Sequence, residues 1–115
     1  MGKMDEHLQK GIALKVEGRY EEALAELQQV LCEDGCCYEA HRQMGLVLGF
    51  IGSFDESMGE LKKAVEIEPE NIAARYDLGM TYAMLGEYEE ARTAFTTILE
   101  MDPTNDNAKK QLAYF

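Results

Sequence analysis

Glycine recurs in this chain at a fixed interval, and that interval sharply limits what it can fold into. Gly11, Gly45 and Gly79 stand 34 residues apart. So do Gly18, Gly52 and Gly86, each followed two positions later by an aromatic: Tyr20, Phe54 and Tyr88. Small residues keep the same step at Ala23, Ser57 and Ala91. Large apolar ones keep it at Leu27, Leu61 and Phe95, and again at Leu31, Val65 and Leu99; Pro69 and Pro103 close the second and third units. Such a period is the mark of stacked supersecondary units, none of which can bury its apolar face alone. Helices are expected over 4–17, 38–51 and 72–85, each stopped by a glycine able to adopt the left-handed C-cap. Ser53 with Glu56 is expected to form a capping box for the helix after Gly52; Arg19 and Glu87 are poorer caps at the equivalent sites. Asn71 and Asn105 are placed to cap the helices after the prolines. Gly11, Gly45 and Gly79 fall inside helices, where each costs roughly 1 kcal/mol relative to alanine. That cost makes sense where a second helix must come close, with Ala23, Ser57 and Ala91 supplying the small facing surface. Each unit is then a helix–turn–helix, and the expected fold class is all-α: a solenoid of stacked antiparallel helix pairs with a concave and a convex side.

Composition narrows the function. With 22 acidic and 11 basic residues the formal charge is −11, which is unsuited to neutralising nucleic-acid phosphates. At 46% hydrophobic and 29% charged residues, the chain is expected to fold rather than behave as an acidic disordered tail. Its longest apolar stretch, around Leu46, Val47 and Leu48, is about half the length a bilayer-spanning helix needs. The charged start at Lys3, Asp5 and Glu6 does not read as a secretory signal, and Glu6 stands where myristoylation wants Ser or Thr. The expectation is a cytoplasmic protein that binds neither nucleic acid nor membrane. There is no glycine-rich phosphate loop between strand and helix, and no Ser–His–Asp set in a supporting context. Neither catalytic residues nor a cofactor is expected.

The repeat resembles the tetratricopeptide (TPR) repeat, three copies of which would cover 4–37, 38–71 and 72–105 and leave a capping or truncated C-terminal helix over 106–115. The third copy is closest to the family pattern, with Leu78, Gly79, Tyr82, Ala91, Phe95 and Pro103 all in place. The first departs most, with Lys10 at the usual leucine position and Gly35 in place of the closing proline. The family's early tryptophan is replaced by His7, His41 and Arg75. The resemblance implies a right-handed solenoid acting as a protein–protein interaction module or scaffold, with the ligand-facing side on the first helix of every repeat. Carried over by position, that face includes Leu8 and Ile12 from the first repeat, and Arg42, Gln43, Leu46 and Phe50 from the second. The third contributes Tyr76, Asp77, Met80 and Met84. Methionines beside aromatic rings suit an adaptable groove for the apolar side of a peptide or helix segment. Self-assembly through the same surface is the alternative. One family specialisation clamps the acidic C-termini of heat-shock chaperones with Lys, Arg and Asn side chains. The corresponding positions here are Leu8, Ile12, Gln43, Ala73 and Asp77, so chaperone tails are not expected as partners.

Cys32, Cys36 and Cys37, with His41 after them, gather donors that could on paper hold zinc, but the spacing matches no established zinc motif. Free thiols lining an inter-repeat turn are expected, with no metal site; a metal- or thiol-sensing role is a second alternative. The acidic pairs Glu21–Glu22, Asp55–Glu56 and Glu89–Glu90 fall where the helix dipole favours negative charge, and are expected to be solvated convex surface.

Overall fold

The computed structural model describes residues 3–115. They form α1 (Lys3–Val16), α2 (Tyr20–Glu33), α3 (Tyr38–Ile51), α4 (Phe54–Ile67), α5 (Ile72–Met84), α6 (Tyr88–Met101) and α7 (Asp106–Leu112). The pairs α1/α2, α3/α4 and α5/α6 fold back on themselves through short turns, each second helix packs on the next pair, and α7 lies against α6. The result is an all-helical array, 41 × 26 × 20 Å. No helix among the described residues is long and apolar enough to cross a membrane.

The turns within pairs are set by glycine. Gly18, Gly52 and Gly86 have φ of 80°, 94° and 79°, in the left-handed region. The following amides, of Arg19, Ser53 and Glu87, reach back to the carbonyls of Leu14, Leu48 and Tyr82, each at 2.9 Å, closing a Schellman motif that satisfies orphan carbonyls. The capping box expected at Ser53 does not form: Ser53 is the N-cap of α4, but its side chain caps no amide. Arg19 and Glu87 make no capping bond either. Asn71 and Asn105 do cap, accepting from the amides of Ala73 and Ala108. A second orphan amide at the start of α5, that of Ala74, donates to the hydroxyl of Tyr38 at 3.1 Å, so the second repeat caps the third.

The helix-interior glycines sit at equivalent close approaches. A β-carbon on Gly11 would lie 2.9 Å from Leu27, one on Gly45 2.7 Å from Leu61, and one on Gly79 2.9 Å from Phe95. The large residue of the partner helix, rather than the small one, fills the space each glycine opens. Ala23, Ser57 and Ala91 are buried beside it, and Ser57 Oγ donates to the Gly45 carbonyl at 2.7 Å. Around these contacts the core divides along the array. Leu14, Leu27, Met44 and Val47 form one cluster, Tyr38, Ala64 and Ala74 another, and Ala91, Phe95, Ile98 and Ala108 a third. In the third, Phe95 meets Tyr76 edge-on at 5.7 Å and stacks with Phe115 at 6.2 Å.

Candidate functional site

The first helices α1, α3 and α5 lie side by side on one face. A pocket of about 200 Å³ opens between α3 and α5. Leu46, Gly49 and Phe50 line it from α3, at the i, i+3, i+4 spacing that puts residues on one helical face. Asp77, Met80, Thr81 and Met84 line it from α5 with the same periodicity, and Phe54, Ser57 and Leu61 of α4 stand behind. Phe50 and Met84 are each 61% exposed, and Val16, one repeat earlier at the same position, is 78% exposed. Large apolar side chains at one repeat position thus form a row across the array. The Phe50 ring rests against Tyr20 at 5.7 Å.

Beside the pocket the same face is polar and interlinked. Lys15 Nζ donates to Gln43 Oε1 at 2.6 Å, and Gln43 Nε2 to Glu39 Oε1 at 2.7 Å. Arg42 Nε donates to Asp77 Oδ2 at 2.7 Å, and its Nη1 lies 3.5 Å from Glu39. One chain of contacts therefore joins all three repeats. Burial pushes the Asp77 carboxyl above the ordinary carboxylate range, further than Arg42 and Lys15 draw it down. Burial alone would lower Arg42, but its hydrogen bond and ion pair with Asp77 raise it. Lys15 is held below the ordinary lysine value by burial and by the charge of Arg42. The pair thus fixes Arg42 as a cation while leaving the more deeply buried Asp77 incompletely compensated.

Of the ten residues singled out from the sequence, Leu46, Phe50, Asp77, Met80 and Met84 meet at this pocket. Arg42 and Gln43 belong to the polar chain, and Gln43 is buried. Tyr76 packs on Phe95, and its hydroxyl accepts from Gln111 Nε2 at 3.4 Å. Leu8 packs against the first core cluster, and Ile12 is half-buried on α1, outside the pocket. Lys15 and Glu39 complete the polar chain and were not among the ten.

The cysteines are free thiols, with Cys32 and Cys36 exposed and Cys37 half-buried. No group of three or more His, Cys, Asp or Glu among the described residues is arranged to hold a metal ion. Both ring nitrogens of His41 are engaged by other groups: its Nδ1 lies 2.6 Å from Glu60 Oε2 and its Nε2 2.7 Å from the carbonyl of Gly35, in the turn that carries Cys36. His7 makes the equivalent contact with Glu26 in the first repeat. Both histidines tie the first helix of a repeat to the second.

Several solved structures share this architecture. The first TPR of Spaghetti (RPAP3), bound to an HSP90 peptide, aligns with a TM-score of 0.90 and 20% identity over 97% of this chain and 89% of that one. The second TPR domain of human RPAP3, in complex with an HSP70 peptide, aligns at 0.88 and 21% identity, over 97% and 93%. MamA aligns at 0.88 and 21% identity over 95% of this chain but 64% of its own, so the chain spans less than two thirds of MamA. At these identities the likeness is one of fold. No curated protein sequence matches significantly. The tetratricopeptide repeat family model matches residues 52–113, more than half of the chain, and the chain belongs to that family.

Proposed function

We propose that the protein is a non-catalytic interaction module, and that its first helices hold a segment of a partner protein on the concave side, centred on Leu46, Phe50, Met80 and Met84. The observation that carries this reading is the exposed row of Val16, Phe50 and Met84 beside an apolar pocket. Fully burying one such side chain is worth about 1.5–3 kcal/mol, so leaving three in water at one repeat position favours a covering partner. The RPAP3 domains of like fold carry chaperone peptides. Here the cations near the groove, Lys15 and Arg42, are bonded to Gln43 and Asp77, which argues against a clamp for an acidic tail.

The test is affinity capture from native lysate, comparing wild type with Met80→Glu and Phe50→Ser, with helicity checked in parallel. Loss of a partner on either substitution, and retention with Glu21→Lys and Glu22→Lys on the convex side, is the expected result. Loss with the convex reversals alone overturns the groove. Should Met80→Glu instead turn a dimer into a monomer with no partner lost, the surface serves self-association.

A further inference from the structure

The groove described above has a chemical polarity that selects among partners, and the inference rests on that reading of the groove. Asp77 stands at the inner wall of the apolar pocket. Its Oδ2 accepts from Arg42, while Oδ1 accepts nothing among the described residues and is not sealed from solvent. The carboxylate is mostly buried, so a second donor would complete a pairing that the fold leaves unfinished. Acidic groups flank the opening. Exposed Glu17 and Glu87 follow α1 and α5 at the ends where Val16 and Met84 sit. Neither α3 nor α5 carries a basic residue in its last turn, so their negative helix ends are uncompensated by side chains. The cations nearby are all engaged: Lys15 with Gln43, Arg42 with Asp77, and Arg19 with Glu22 through two bonds of 2.8 Å and, at the longer distance of 3.8 Å, with Glu17.

We propose that the occupant is a cationic amphipathic segment: one bulky apolar side chain fills the pocket between α3 and α5, and a neighbouring Lys or Arg donates to Asp77 Oδ1. Glu17 and Glu87 draw the flanking basic residues of the segment towards the ends of the row.

Three labelled peptides with identical leucine and phenylalanine positions, and with Lys, Gln or Glu between them, test this by fluorescence anisotropy. The Lys peptide should bind about tenfold more tightly than the Gln peptide, as one charge-assisted bond permits, and the Glu peptide should bind worst. Asp77→Asn should bring the Lys peptide down to the Gln level and leave the Gln peptide unchanged. Glu17→Gln with Glu87→Gln should weaken the Lys peptide and steepen no other, which keeps the test independent of how well Asp77→Asn folds. The matched pair Glu66→Gln with Glu100→Gln, at the opposite end of the helices, should have no effect. Equal binding of Lys and Gln peptides, lost in both on Met80→Glu, overturns the cationic partner while the groove stands. Binding that survives Met80→Glu overturns the groove reading itself. A Lys-peptide affinity that falls equally with either pair of charge removals overturns the proposal in favour of unspecific attraction to an acidic protein.

Discussion

Gly45→Ala should destabilise this protein, although the same change usually strengthens a helix. In an open helical position alanine gains about 1 kcal/mol over glycine. At Gly45 the new β-carbon would stand 2.7 and 2.8 Å from Leu61 Cγ and Cδ2, and 3.2 Å from the Ser57 carbonyl oxygen. Leu61 is 1% exposed, and its Cγ cannot swing aside without moving the whole side chain within a packed core. Forcing a carbon into such a site costs about 1–3 kcal/mol, so the net loss should be about 0–2 kcal/mol. Gly59, inside α4, provides the control, because a β-carbon there meets nothing within 4 Å. Gly59→Ala should therefore stabilise by roughly 0.5–1 kcal/mol. Comparing the two variants cancels the helix-propensity gain and isolates the overpacking. Urea unfolding followed by helical circular dichroism gives both values. Equal stabilisation by the two alanines would refute the close-approach argument.

Tyr38→Phe should cost about 1–3 kcal/mol, since it leaves the buried Ala74 amide without its acceptor; a change within error in urea unfolding would mean water replaces the hydroxyl. Asp77 sets a pH dependence. Its carboxyl binds its proton more readily folded than unfolded, so wild type should gain stability over Asp77→Asn as pH falls through the folded value, and lose that advantage as pH rises again. Unfolding free energies of the two proteins measured across the acid range check this, and an opposite slope contradicts it. Cys32 and Cys36 should react quickly with a thiol reagent in the native state and Cys37 more slowly. Protein purified without added zinc should contain none in stoichiometric amount; a large loss of stability with chelator would point to a structural metal instead.

The repeat fold could be read from the sequence because its strongest constraints are local or strictly periodic. Glycine at 18, 52 and 86 can stop a helix whatever lies around it, and the structure ends α1, α3 and α5 there. The same turn explains the failed capping box. Ser53 follows a left-handed glycine, which leaves its backbone at ψ 67°, close to the 69° and 71° of Arg19 and Glu87. The residues that do cap, Asn71 and Asn105, have ψ of 120° and 103°, the extended geometry from which a side chain reaches the first amides. Phe50 and Met84 of the apolar row were visible for a similar reason, since they stand at one repeat position 34 residues apart. The polar chain was not. Lys15 with Gln43, and Arg42 with Asp77, are 28 and 35 residues apart, and whether they touch depends on how neighbouring repeats lean together. Leu8 shows the converse: it sits on the right helix, but it packs against the core cluster that the first and second repeats share.

Helices that pack as neighbours lie about 8–10 Å apart, which gives the row of Val16, Phe50 and Met84 a ruler. A partner lying across the three helices must present apolar groups at that pitch. A polyproline II chain advances about 3.1 Å per residue with three residues per turn, so every third side chain would fall in step on one face; a helix advances about 1.5 Å per residue and returns to the same face after about seven residues, so every seventh would. The two periods are different words in a sequence. Any natural partner should carry one of them, and an insertion of a single residue between its anchors should break the match at the second contact while leaving the first intact.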